Sequence, residues 1–251
     1  MDGAFSPWPT RASYYDASRD PNGQLTMTRE WARPKRFPYA QWSPDARALD
    51  VVGDKWTLLI VRELVSGPRR FVDVRNALPR ISSEQLRLRL ARMVADGLLL
   101  RHSYREAPPR VEYELTPRAR ALVPALAELA RWGYEWEWSP PRAGEHVELG
   151  AIFRLLAGLV PTHAETPAGT VALAIVEPGA ESREFTVELR PPAPAGITEG
   201  PAPDAAARIE GTADDWVAAI EPRGDAAGLR TAGEERLWRH VLETLRPDAK
   251  R

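Results

Sequence analysis

The sequence contains no cysteine, and that one absence closes off disulfides, thiolate metal ligands, cysteine nucleophiles and thiol redox sensing together. Histidine is nearly as scarce. His102, His146, His163 and His240 stand apart from one another, without the His-Glu spacing of a metal-binding helix, and there is neither a glycine-rich phosphate loop nor a serine in a nucleophile elbow. No catalytic residue, metal or cofactor is expected, and the chain reads as a non-enzyme. Glu63, Asp73 and Glu84 are expected on solvated faces or in helix caps. No run of about 18 apolar residues occurs and no basic stretch with an apolar core follows Met1. Neither a membrane span nor a secretory signal is expected, and the expected compartment is the cytoplasm.

Net charge is nearly absent as well, at −1 over 251 residues. Its distribution says more. Residues 1–39 carry six basic and four acidic side chains, residues 40–140 carry sixteen and thirteen, and residues 141–251 carry twelve and eighteen. A modestly basic middle followed by an acidic final third suits a nucleic-acid reader joined to a domain that avoids phosphate.

Proline and tryptophan, 24 and nine residues, mark the organisation. Residues 1–39, with Pro7, Pro9, Pro21, Pro34 and Pro38 among Trp8, Tyr14, Tyr15 and Trp31, show no helical or alternating period and are expected to form an irregular arm. From Pro44 the pattern changes. A short helix should end at Gly53, a second, capped by Asp54, should carry Trp56, Leu59, Ile60, Leu64 and Val65, and Gly67-Pro68 should stop it. A third should run from Phe71 to Leu78. Pro79-Arg80 break the chain before Ile81-Ser82-Ser83, where a serine can cap a helix from Ser83 to Ala95 whose buried stripe is Leu86, Leu90, Met93 and Val94.

Two short helices joined tightly, the second presenting polar side chains near its start, form a helix-turn-helix. On that reading Ser82, Ser83, Gln85 and Arg89 face base edges in a major groove of double-stranded DNA, with Arg87 and Arg92 beside them. Arg69 and Arg70 would contact phosphate. The alternative is that these arginines are the solvated face of an ordinary helix. The neighbouring segment favours DNA: residues 98–104 and 111–115 read as two strands around Pro108-Pro109, a wing whose Arg105 and Arg110 can follow a phosphate backbone. Thr116 should then cap one long helix from Pro117 to about Trp138.

Over residues 39–137 the chain resembles the HxlR-type winged-helix regulators. The resemblance rests on the run Leu49-Asp50-Val51-Val52-Gly53-Asp54-Lys55-Trp56-Thr57, on Arg69-Arg70-Phe71 and on Ile81-Ser82 with Leu86, Arg89 and Leu90. Gly97-Leu98, Pro108 through Tyr113 and Leu115-Thr116 extend it. It implies a bacterial homodimeric DNA-binding regulator paired through terminal helices, and it leaves Arg89 open as a structural arginine. Trp132, Trp136 and Trp138 could serve a dimer interface, a ligand platform or a contact with a second domain; the resemblance favours the dimer. Members of this family usually carry a cysteine where this chain has Ser43, so a signal would have to arrive noncovalently.

Residues 145–251 should form an α+β domain: an apolar helix through Leu149 and Phe153, strands near residues 171–176, 184–189 and 206–209, and helices near 212–220 and 234–245. The whole is thus expected to be α+β, a winged helix-turn-helix at residues 40–139 followed by a smaller sheet-and-helix domain. The strand order, Gly211 through Trp216 and the closing helix resemble the sterol-carrier type of domain. That implies an apolar tunnel lined by Phe153, Phe185, Trp216 and Trp238 for a hydrophobic small-molecule effector. For any one of these aromatics a solid core is the stronger reading. Three functions therefore stand: a ligand-responsive regulator, a small-molecule binder on a winged scaffold that has lost DNA affinity, and an enzyme on that scaffold.

Overall fold

The computed structural model describes residues 38–104, 110–161, 163–177, 179, 181–221 and 224–246, with the backbone of 18–19 and 25–26. Within the stretch expected to be irregular, β1 (Ser18–Arg19) and β2 (Leu25–Thr26) pair antiparallel. Trp8 and Trp31 lie outside the described residues.

The first helices follow their sequence signals. α1 (Pro44–Val52) starts with proline, where a missing N–H costs nothing, and Ser43 Oγ accepts from the Ala46 amide. The residue standing in place of the family's cysteine is therefore a helix cap here. α2 (Thr57–Glu63) is shorter than expected, with Leu64 and Val65 buried in the turn beyond it. Asp54 accepts from the Trp56 and Thr57 amides and so caps this helix from just outside.

β3 (Arg69–Arg70) leads into α3 (Phe71–Ala77), and α4 (Ser83–Ala95) follows after the turn. Ser82 and Gln85 make a capping box at the start of α4, and Leu86, Leu90 and Met93 are its buried stripe. β4 (Leu99–Tyr104) and β5 (Arg110–Leu115) form the hairpin, and β3 adds to β5 in a three-stranded antiparallel sheet ordered β3-β5-β4. The expected long helix is instead two: α5 (Pro117–Arg120), capped by Thr116, and α6 (Val123–Trp136). Pro124 has no N–H to give the carbonyl of Arg120, which interrupts the ladder there.

The C-terminal half is a second sheet-containing domain, and the chain as a whole is α+β. α7 (Leu149–Leu159) precedes β6 (Gly169–Ile175), β7 (Arg183–Leu189), β8 (Gly196–Glu199), β9 (Ala207–Gly211), α8 (Ala213–Ile220), β10 (Arg230–Gly233) and α9 (Glu235–Leu245). The sheet runs β10-β9-β6-β7-β8, with β6 and β9 parallel and the other neighbours antiparallel. Its inner face, Leu173, Phe185 and Ile209 in register, packs under α7 and α8. The expected third strand is present as β9; β8, inside the proline-rich loop, and β10 were not expected.

α7 joins the two halves. It lies against α2 and α6 on one side and β7 and β8 on the other, so buried apolar side chains run unbroken from Ile60 through Leu126 and Leu156 into Val187. The approach to α6 is close at Gly158, where a Cβ would fall 2.8 Å from the Val123 carbonyl oxygen. Arg131 of α6 reaches across to donate to the Leu159 carbonyl at 2.9 Å. This side chain caps the end of α7.

Candidate nucleic-acid interface

Around α3 and α4 the surface is polar and largely basic. Arg75, Asn76 and Arg80 are exposed on α3 and the turn, and Glu84, Gln85, Arg87 and Leu88 are exposed on α4. Arg75 donates to Ser83 Oγ at 3.2 Å, tying the end of α3 to the start of α4. Arg87 stands over the Phe71 ring, 5.2 Å from its centroid, which holds the guanidinium at the surface of the two-helix unit. Arg75 and Arg80 were not singled out from the sequence, although their place before a capped helix could have marked them.

The residues expected at DNA fall into two groups. Arg87 and Arg70 are exposed, as is Arg110 at the hairpin, beside the Tyr104 ring and paired with Glu112. Ser82 and Gln85 are exposed but share the capping box, so their first task is to hold the helix start. Arg89, by contrast, turns inward: its Nη1 lies 3.0 Å from Asp54 Oδ2, the same carboxylate that caps α2. Arg92 is partly buried and binds Asp96 at 3.0 Å. Arg105 lies outside the described residues, with Pro108 and Pro109.

Arg69 belongs to a different assembly. It sits 3.2 Å from Glu63 and 3.5 Å from Glu199 of β8. Arg154 of α7 completes the group, at 2.8 Å from Glu63, 3.0 Å from Glu199 and 3.1 Å from Ser66 Oγ. Arg154 and Glu63 are both wholly buried. Glu63 was expected on a solvated face or in a helix cap; its partner Arg154 is 91 residues away in sequence, which no local pattern reveals. Burial holds the Arg154 guanidinium below its ordinary pKa, with Glu63 and Glu199 opposing. Through Arg69, the strand that pairs with the hairpin at Tyr113 and Glu112 is tied to the edge strand of the other domain.

Phe153, Phe185 and Trp216, a tunnel lining on the sterol-carrier resemblance and solid core taken singly, are wholly buried, and Phe153 meets the other two edge to face, with centroids 5.3 Å apart for Phe153 and Phe185 and 4.6 Å for Phe153 and Trp216. Trp216 Nε1 donates to the Ala174 carbonyl at 2.9 Å, fixing α8 to the sheet. Trp238 is only partly buried, on α9, with Arg239 over its ring. Among the described residues no group of histidines and carboxylates is placed to hold a metal ion, and no helix is long and apolar enough to cross a membrane.

Along α6, Ala125, Leu129, Trp132 and Trp136 form an exposed stripe at helical spacing, Trp132 at 53% and Trp136 at 63% exposure. Trp138 is partly buried and stacked on Tyr134 at 5.0 Å. Burial pushes the Tyr134 hydroxyl up to about 12. Trp42, just before α1, is 89% exposed.

The family model for the HxlR-like helix-turn-helix matches residues 51–140. The HTH-type transcriptional regulator YvaP of Bacillus subtilis is 38% identical over 90 residues, which are 36% of this chain and 83% of that protein. The chain belongs to the HxlR-like helix-turn-helix family. An HTH-type transcriptional regulator of Synechocystis sp. is 40% identical over 93 residues, 37% of this HxlR-like chain and 69% of the relative. Among solved structures, the redox regulator HypR in its oxidised form is similar over 37% of this chain and 96% of that one, at 35% identity and a TM-score of 0.36.

Proposed function

We propose that this HxlR-like protein is a homodimeric, sequence-specific DNA-binding transcriptional regulator working in the cytoplasm. The observation that carries this reading is the exposed face of α4, set between Arg75, Arg80 and Arg87 and followed at once by a hairpin with Arg110 at its edge. A helix presented in this way fits a major groove, with arginines at the flanking phosphates. The α6 stripe with Trp42 supports pairing of two copies, since exposed tryptophans on one helix face are what an interface would cover.

The C-terminal domain is the proposed sensor, and its resemblance to the sterol-carrier type supports a hydrophobic small molecule as effector. Such a molecule would have to loosen the packed Phe153, Phe185 and Trp216 or lodge beside Trp238. Movement of β8 would then reach the hairpin through Glu199 and Arg69.

A small-molecule binder on a winged scaffold without DNA affinity is the second reading, supported by the pairing of Arg69, Arg89, Arg92 and Arg110 with carboxylates. Titration of the full chain against DNA from upstream of its own gene, over a salt series and with unrelated duplex as competitor, separates the two. Specific binding that strengthens as salt falls supports the regulator. Equal binding to competitor at low salt supports the scaffold.

A further inference from the structure

Leu88 is 66% exposed in the middle of α4. A leucine at such a place is not serving the core. At about 100° per residue, Leu88 points roughly 170° away from the mean direction of Leu86, Leu90 and Met93, the buried stripe. It is therefore the foremost side chain of the surface that α4 presents. Ala91 and Ala95, also exposed, continue the same line toward the helix end. The result is a low apolar ridge headed by the exposed Glu84, with Arg87 on one side and Gln85 and Arg92 on the other.

The exposed cations around the ridge, Arg75, Arg80 and Arg87, set the chemistry of the partner: a polyanion with apolar groups in a recess. In the major groove of duplex DNA the base edge that offers an apolar group is thymine, through its C5-methyl. We infer that Leu88 reads a thymine by contact with that methyl, and that Ala91 and Ala95, having little side chain, let α4 approach closely enough for it to do so. This rests on the DNA-binding reading. It adds an apolar contact to a helix whose Ser82 and Gln85 are engaged in the cap and whose Arg89 is held by Asp54.

The test begins with selection of binding sites from a randomised duplex library by the full chain. Each thymine of the selected site is then replaced by uracil, which removes only the methyl, and affinities are measured for the wild type and Leu88→Ala. At one position or more the replacement should weaken the wild type about four-fold, the worth of one methyl taken out of water. It should leave Leu88→Ala unchanged. Because Leu88 is exposed, the variant should melt with the wild type. If specific binding is found but every uracil penalty is absent, or persists in Leu88→Ala, the methyl contact is wrong and the regulator reading stands. If the library yields no preferred sequence, both fall.

Discussion

Arg154 Nη1 lies 2.8 Å from Glu63 Oε2, and each side chain is wholly buried, one in the C-terminal domain and one in the winged unit. Breaking a buried pair leaves an uncompensated charge, at a cost of about 3–5 kcal/mol. The two halves of this pair are not equivalent. Without Arg154, Glu63 keeps Arg62 and Arg69; without Glu63, Arg69 and Arg154 share the partly exposed Glu199 with Arg183, and Arg62 loses its carboxylate. Glu63→Gln should therefore be the more destabilising change, near the upper end of that range, and Arg154→Met nearer the lower. Urea unfolding of both variants checks this, and the reverse order would show that Glu199 is the principal counter-charge.

Glu148 binds Arg183 at 2.8 Å at the start of α7. Burial pushes its pKa up, but the Arg183 hydrogen bond and charge, with Arg154 and His146, outweigh burial and hold it below the ordinary 4.5. A carboxylate whose folded pKa is depressed stabilises above its unfolded pKa, and that contribution disappears as pH falls through the folded value. Below pH 4.5 the wild type should lose stability more steeply than Glu148→Gln. Thermal melts from pH 6 to pH 3 provide the comparison. Parallel curves would mean that the Arg183 pair contributes nothing to folding.

The elements of the winged unit were legible because their signals are local: Asp54 and a serine at 82–83 as caps, Gly53 as a stop, the stripe through Leu86, Leu90 and Met93. The split between α5 and α6 was also written locally, in Pro124, and was overridden by the apolar period on either side. β8 was hidden because Ile197 and Thr198 carry strand character for only a few residues among prolines, and the strand forms by pairing with β7. The charge network was illegible for a different reason. Glu63 and Arg154 look solvated on their own helices, and each is buried only because the other is there. Even so, Arg154 is the only charged residue in α7, and a lone arginine in so apolar a helix is a signal that some buried partner exists.

Among the described residues no side chains bury Trp132 and Trp136, and they share a face of α6 with Leu129. If two copies pair there, truncating either should weaken the dimer by about 2 kcal/mol or more, the scale of an interface hot spot. The folding of one chain should not change, since neither residue contributes to its core. Trp132→Ser and Trp136→Ser followed by sedimentation over a concentration series give the answer. A wild type that remains monomeric, or variants that remain dimeric, would remove α6 from the interface.

Arg89 and Arg87 are two residues apart on α4 and should behave oppositely. Arg87 is exposed and stands over the Phe71 ring, so Arg87→Ala should cost about 0.5–1 kcal/mol of cation–π contact. It should weaken DNA binding across sequences and lower the salt slope by about 1 for a single phosphate that the arginine neutralises. Arg89 is bound to Asp54, the carboxylate that caps α2, so Arg89→Ala should lower stability, by about 1 kcal/mol for a pair this accessible to solvent. Its effect on DNA should follow from a shifted α4. Arg89→Lys decides between the roles. A lysine can keep the single contact to Asp54 and should restore both stability and binding, whereas a bidentate guanine contact needs the guanidinium fork and would not survive the exchange. Stability regained by Arg89→Lys without regained binding would place Arg89 at the bases after all.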